Sequence, residues 1–440
     1  LYRKLAPHTN WQTESDIHDD IYTLIDLEPD TQYEVKVRAL PDQVLDDTGQ
    51  PVDRGLPFET EALRIRTQPL EPRLARKLAQ WPPLGVTEPG EWAPEPNAPN
   101  LKLWPSYRLG GAQPDERSRI ISRIAEYKDE LYVVQCSGAG ILLAMIRPSD
   151  LKPQWPEPKQ LVAPVTDAPT AQGNLSTAVF RDKLWLMWSR RPAGKPNSEV
   201  TETRQMLLSY DFATGKASEP IVLDSTKPGA GTWQGSLAVW NDQLWLLWTE
   251  AWAEGDHIRA RVVIASYTPD AGLGKPVVWD ACPTAYPYAP SLSAFESDMI
   301  VLFSDRAAGE TTPGQEPLMC VRFSGSDFHD PQTIQSLGRN RRTHAVQVAD
   351  SLYAVYESNT EWMQVDDTYT DIAFTRLGPQ GRMIETLWYV DDMKGNLSPD
   401  IVAYKNSLYV IYTKYDRAPE DLRYPVKCRG TYIGKIDIPQ

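Results

Sequence analysis

Arg341, Arg342 and His344 fall within a four-residue window of a chain that has five histidines in 440 residues. Planar guanidinium forks grip carboxylates through paired hydrogen bonds, and an imidazole beside them can carry a proton. The window is therefore a candidate anion-recognising cluster; a solvated basic turn paired with neighbouring acids is the competing reading. Four acids, Glu250, Asp305, Glu357 and Asp416, each follow a Leu-aromatic apolar run. Two carboxyl groups about 5 to 10 Å apart can hydrolyse a glycosidic bond, one as acid and the other as base or nucleophile. The plainer alternative pairs these acids at the surface with Arg190, Arg306, Lys414 or Arg417. A lyase would instead use His344 as base and Tyr286 or Tyr288 as acid, with an arginine neutralising a uronate.

The elements that must position these groups are announced by a repeat. A phrase of apolar strand, tight polar turn and Leu-aromatic strand occurs six times, with key residues Leu131, Leu184, Leu244, Met299, Leu352 and Leu408, a spacing of roughly 55 residues that marks blades of a propeller. Each copy begins with an inner strand, turns at a pair such as Asn241-Asp242, and returns as an apolar run such as Leu244 to Trp248, suited to burial on both faces. A third strand and a weaker, Pro-bearing outer strand follow. The last copy stops after its third strand, and Leu101–Trp104 to Arg108-Leu109 is expected to supply the outer one, closing the ring with strands from both ends.

Counting back from the key residues gives the expected lining of the central mouth. Eight positions before them stand Arg123, Ser176, Ser236, Ser291, His344 and Asp400; ten before stand Ile121, Asn174, Gln234, Ala289, Arg342 and Ser398. The period of two puts both sets on one strand face. Trp233, Tyr286, Tyr288 and Arg341 lie nearby and add aromatic planes and guanidinium forks suited to sugar rings and carboxylates. Arg190 belongs to the same candidate binding set. Trp185, Trp188, Trp240, Trp245 and Trp248 fall at repeat-equivalent apolar positions and are expected to pack between blades. Trp233, Trp252 and Trp362 read as loop residues free to bind. The second-to-third-strand connections, Thr249 to Ile258 among them, read as long loops on one working face.

Bulk properties narrow the function. The hydrophobic content of 41% is that of a globular chain. A formal charge of -14 repels nucleic acid and anionic membrane surfaces, and no apolar run is long enough to span a bilayer. Cys136, Cys282, Cys320 and Cys428 show no CxxC spacing, against zinc; they read as buried thiols, with one or two disulfides as the alternative. No cofactor is expected, and Asp366-Asp367 and Asp391-Asp392 are the places where a structural calcium would sit, solvation being the commoner fate of such pairs. Neither a GxSxG, HExxH, P-loop nor dinucleotide motif occurs.

Residues 1–69 differ in style. Leu27-Glu28-Pro29-Asp30-Thr31-Gln32-Tyr33, with Trp11 upstream and Leu63–Thr67 as a closing strand, resembles the later part of a fibronectin type III domain, in which Tyr33 would take the tyrosine-corner position. Residues 70–100, rich in Pro, Glu and Ala, read as a connector, and 101–440 as the propeller. Ser209-Tyr210-Asp211 with Gly215, Ser149-Asp150 with Trp155, and Ser326-Asp327 are worn versions of the S-x-D-x-G-x-T-W box between third and fourth strands, so residues 101–440 resemble sialidase-type Asp-box propellers. That resemblance implies a carboxylate held by three arginines, a Tyr-Glu nucleophile pair and an Asp acid. Arg123, Arg190 or Arg342 can imitate part of this set, but no motif fixes the correspondence and no role is transferred.

The expected fold is all-β, a six-bladed β-propeller with an amino-terminal fibronectin III-like β-sandwich fragment. The expected function is recognition of a glycan or glycoconjugate by part of a larger modular protein, secreted, on a cell surface or particle-borne, any targeting signal lying upstream of this stretch. The alternatives are a glycoside hydrolase or polysaccharide lyase of sialidase-like architecture, and a protein-docking propeller.

Overall fold

A computed structural model describes residues 2–4, 11, 31–39, 42–45, 51–54, 58–66, 92–94, 102–103, 107–108, 120–137, 140–149, 151, 153–155, 157–163, 172–190, 200–255, 257–306, 315–335, 338–359, 370–378, 383–390, 395–415 and 428–438. The chain divides into two compact units, Leu1–Val86 and Thr87–Gln440.

The second unit is all-β, with six sheets that follow one another along the chain. Their inner strands are Ile121–Tyr127, Gln172–Phe180, Gly231–Trp240, Pro287–Phe295, Asn340–Val348 and Gly395–Tyr404, here numbered blades one to six. Each inner strand pairs antiparallel with the strand that follows it. The two-residue turns between them have positive φ at both central residues in Lys128-Asp129, Arg181-Asp182 and Asn241-Asp242, the geometry that matches strand twist. Each inner strand packs on the next, and blade six returns to blade one.

Blade six takes its outer edge from early in the unit: Lys102–Leu103 and Tyr107–Arg108 both pair with Cys428–Asp437. Trp92–Pro94, inside the stretch that reads as a connector, pairs with Met383–Val390 as a fifth strand of blade five. The connection Thr249 to Ile258, expected as a loop, is instead a continuation of the ladder between Gln243–Glu254 and His257–Thr268. Opposite charges explain the extension: Glu250 stands across from Arg261, and Glu254 reaches Arg259 at 3.3 Å.

The core is six separate cores, one in each gap between neighbouring blades. Alternate residues of one run feed opposite gaps. Trp188 enters the gap between blades one and two, and Trp185 the gap between two and three. Trp248 fills the gap between two and three and Trp245 that between three and four, with Trp240 packed against the latter. Burial of Trp185, Trp188, Trp245 and Trp248 accounts for their recurrence, Trp240 being only partly buried.

In the first unit, Tyr2–Lys4, Gln32–Val35 and Leu63–Arg66 form a three-stranded antiparallel sheet. Two two-stranded ribbons accompany it, Arg38–Ala39 with Phe58–Glu59 and Asp42–Leu45 with Pro51–Arg54. Tyr33 is buried, and Lys36 lies 4.4 Å from the Trp11 ring centroid. The described residues of this unit do not compose a closed two-sheet sandwich.

Candidate functional site

The chemistry of the propeller gathers where the inner strands begin. In five of the six blades the residue ten before the key position has positive φ: Asn174 (50°), Gln234 (48°), Ala289 (48°), Arg342 (50°) and Ser398 (55°). Each sits in a shift of register against the second strand. A left-handed non-glycine residue costs about 1 to 2 kcal/mol, so a feature kept five times is held in place by its surroundings. The holding groups come from neighbouring strands. Gln234 Oε1 accepts from the Ala289 N–H at 2.7 Å, and Glu357 Oε1 accepts from the Ser398 N–H at 2.6 Å. Blade one has no such bulge, since Ile121 pairs with Cys136 in an unbroken ladder. The bulge also breaks the simple alternation between positions ten and eight, so what aligns the two sets is the bend rather than the period of two.

The residues eight before the key position stitch blades together. Ser176 Oγ accepts from Leu237 N–H and Ser236 Oγ from Leu292 N–H, both at 3.0 Å, and Asp400 Oδ2 accepts from Ile124 N–H at 2.8 Å. The same link thus joins blade two to three, three to four, and six to one. Arg123 donates through Nε to Leu175 O at 2.7 Å and through Nη1 to Ser122 O at 2.8 Å and Ser398 O at 3.1 Å. One guanidinium therefore ties blade one to both of its neighbours.

Seven of the twelve residues in these two sets line one depression, with contributions from blades one to five: Arg123 and Ile121, Asn174, Gln234, Ala289, and Arg342 with His344; Ser176, Ser236, Ser291, Ser398 and Asp400 are not among its lining residues. Leu175, Gly235 and Pro290 complete the wall. Seven of the expected mouth residues are thus neighbours in space.

The electrostatics differ from the expected anion clamp. Arg342 Nη1 donates to both Glu357 oxygens, at 2.7 and 2.6 Å, and Nη2 reaches the Tyr288 hydroxyl at 3.4 Å. Burial opposes the Arg342 charge, but Glu357 and Tyr288 outweigh it and hold its pKa above the ordinary value. Arg341 is spent in the same way, with a two-pronged contact to Glu316. His344 Nδ1 stands 3.3 Å from Asp400 Oδ1. Burial, helped by Arg123, keeps the imidazole neutral with a pKa well below its usual value. Burial also pushes Asp400 up to about 6, against Arg123 and the Ile124 and Ile401 N–H groups. With the ring neutral, the contact between His344 and Asp400 is not an ion pair at neutral pH.

The aromatic residues lie behind this wall. Trp233 belongs to strand Gly231–Trp240 and Trp252 to strand Gln243–Glu254, so neither is a loop residue. Trp233, Tyr286 and Tyr288 are each 6 to 7% exposed and pack edge to face or tilted, with centroids 6.0 to 6.4 Å apart. Arg306 caps the cluster, 4.8 Å from the Tyr288 ring. Trp252 takes a cation–π contact from Lys227 at 4.5 Å.

The candidate carboxylates do not converge. Glu250 is fully buried and accepts from Arg261 at 2.9 and 3.0 Å and from both the N–H and the hydroxyl of Thr226. Asp305 accepts from the Thr284 hydroxyl. Glu357 alone among them reaches the depression's wall, through Arg342. Arg190 is exposed at the end of Lys183–Arg190, apart from the lining residues. Asp416, Trp362, Asp366-Asp367 and Asp391-Asp392 lie outside the described residues. Sequence reasoning missed Glu316, which carries no repeat signal; Arg306, expected only as a surface partner of the acids, instead lies over the Tyr286 and Tyr288 rings. No group of three or more metal-ligating side chains occurs among the described residues. Cys136, Cys282 and Cys320 are free thiols pushed up to about 12 by burial.

Two lining residues, and two inner-strand serines outside the lining, carry buried polar atoms without a hydrogen-bond partner among the described residues: Gln234 Nε2, Arg342 Nε, Ser291 Oγ and Ser398 Oγ. A buried polar atom left so costs about 1 to 3 kcal/mol, and the Nε1 atoms of Trp188, Trp245 and Trp248 in the gaps between blades share that condition.

No protein-family model and no curated protein matches this sequence. Solved structures do match. The NanB sialidase from Streptococcus pneumoniae aligns with a TM-score of 0.55 at 8% identity, over 88% of this chain and 76% of that one. The fold is that of the sialidase propellers. A Trypanosoma rangeli sialidase in complex with 2,3-difluoro-KDN aligns at 0.51 and 9% identity, over 77% of this chain and 58% of that one. The chain spans 59% of the same enzyme in its sialic acid complex. No helix of the described residues is long and apolar enough to cross a membrane.

Proposed function

We propose that the propeller is a recognition module for a glycan or glycoconjugate, and that the ligand sits in the axial depression. The observation that carries this is the convergence of equivalent bulge residues from blades two to five, Asn174, Gln234, Ala289 and Arg342, on one wall that includes two side-chain amides. Hydroxyl groups of a sugar are the natural complement to such donors and acceptors. The likeness to sialidase propellers supports a glycan but does not choose between binding and turnover, because a fold hosts many functions. What favours binding is that every candidate acid described is already engaged: Glu250 by Arg261, Asp305 by Thr284, Glu357 by Arg342.

A hydrolytic reading has one observation of its own. Asp400, raised to about 6, has the character of a general acid and stands beside His344, which lines the depression. The fibronectin III-like reading of the first unit rests on buried Tyr33 and its pairing with both flanking strands. With it goes the expectation of a modular extracellular or surface protein.

The test is a glycan array probed with the whole chain, followed by titration calorimetry on the best ligand. Gln234→Ala and Asn174→Ala should each weaken binding about tenfold, the worth of one hydrogen bond. Affinity unchanged in both variants would remove the site. Steady release of reducing sugar or of an unsaturated uronate would replace recognition by catalysis.

A further inference from the structure

Resting on that reading, we infer that the ligand of the axial depression is an uncharged, hydroxyl-rich sugar rather than an acidic one. The groups that would grip a carboxylate are all present, but each is neutralised from within the protein. Arg342 is held at 2.7 and 2.6 Å by both oxygens of Glu357, and that carboxylate is only 3% exposed. Arg341 is held equally by Glu316, itself 6% exposed. Arg123 spends Nε and Nη1 on backbone carbonyls, and Asp400 is the opposite charge that acts on it most strongly.

The balance at the depression closes. Arg123 and Arg342 carry two positive charges, Glu357 and Asp400 two negative ones, and the His344 ring is neutral. An acidic sugar entering here would have to displace Glu357 from Arg342, exchanging one carboxylate for another while leaving the first buried and unpaired. That exchange is unfavourable, since stripping a buried charge of its partner costs more than a new contact returns. A neutral sugar meets no such barrier. Gln234 Nε2 and Arg342 Nε belong to lining residues and have no hydrogen-bond partner among the described residues, both atoms being buried just behind the surface. The Gln234 amide is oriented by its oxygen, which accepts from Ala289 N–H, so its nitrogen is a committed donor. Single donors of this kind match hydroxyl and ring oxygens and lack the paired geometry of a carboxylate clamp. A Trypanosoma rangeli sialidase of this fold was solved with 2,3-difluoro-KDN, a nononic acid; the inference sets this chain apart from it in ligand charge.

The experiment compares neutral with acidic sugars on the full chain by saturation-transfer NMR and calorimetry. The probes are methyl glycosides and short oligosaccharides of galactose, glucose and arabinose, against sialic acid and glucuronic acid. The expected result is binding of one or more neutral probes, none of the acidic ones, and less than a twofold change in Kd between about 0.05 and 0.5 M NaCl. Glu357→Gln releases the Arg342 charge and should raise affinity for the acidic probes about tenfold or more. Tighter binding of an acidic probe to the unaltered protein, weakening with salt, overturns the inference and leaves the glycan-recognition reading standing. Binding of neither class removes the reading on which it rests. Both outcomes are read on the unaltered chain, so the folding of the variant does not limit the test.

Discussion

Asp400→Asn should make the propeller more stable at neutral pH and leave it unchanged in acid. In the folded chain, burial on the axis raises the Asp400 carboxyl from 3.8 to about 6, despite Arg123 and two backbone N–H groups. A rise of about two pH units corresponds to roughly 3 kcal/mol. A carboxyl raised on folding stabilises the native state fully below its unfolded pKa, near 3.8, and that contribution is lost as pH climbs to about 6. Asparagine keeps an oxygen for Ile124 N–H and cannot ionise, so the loss disappears. His344 works in the opposite sense: its lowered pKa gives stability above the usual 6.5 that is lost as pH falls through the lowered value. That term is common to both proteins and cancels to first order in their difference. The assay is urea unfolding followed by tryptophan fluorescence, which reports on the buried Trp188 and Trp248, at a series of pH values from about 4 to 8. The variant should gain about 3 kcal/mol over the unaltered chain above pH 7 and converge on it near pH 4. A difference that is the same at every pH, or below about 1 kcal/mol at neutral pH, would refute the assignment of Asp400 as a buried, reluctantly ionised acid.

Two further changes probe the wall and the gaps. Glu357→Gln alone should cost about 3 to 5 kcal/mol by leaving Arg342 buried without its partner, whereas Glu357→Gln with Arg342→Met should restore most of that; strictly additive losses in urea unfolding would show that the two are not coupled. Trp248→Ala, at a fully buried inter-blade position, should cost about 3 to 5 kcal/mol. Trp252→Ala, which loses a cation–π contact with Lys227, should cost about 1 kcal/mol in the same assay; equal losses at the two sites would contradict the division between blade-packing and rim tryptophans.

Much of this architecture is legible without coordinates. The hairpin phrase repeats because each blade needs the same tight turn, and Lys128-Asp129, Arg181-Asp182 and Asn241-Asp242 adopt the positive φ that such turns require. Trp185, Trp188, Trp245 and Trp248 recur because each gap between sheets needs volume on both sides. Counting from those landmarks places Asn174, Gln234, Arg342 and His344 around one depression. Other features resist the same logic. Thr249 to Ile258 is polar enough to pass for a loop, yet cross-strand charge pairs carry the ladder through it. Trp233 sits next to the bulge at Gln234, where strand periodicity fails, and the bend turns it inward onto Tyr286 and Tyr288.

The amino-acid sequence by itself determined the number of blades, the residues that fill the gaps and the positions that reach the axis. All three follow from one hairpin phrase repeated along the chain, whose fixed offsets need no knowledge of distance, although the bulges that bend those positions inward are seen only in the structure. The charge state of the mouth was decided only by tertiary structure. Arg342 meets Glu357 fifteen residues away, Arg341 meets Glu316 twenty-five away, and Asp400 meets Ile124 across 276. In a poorly hydrated site the sign and strength of each group depend on which partner lies within about 3 Å, and that proximity exists only after the ring has closed.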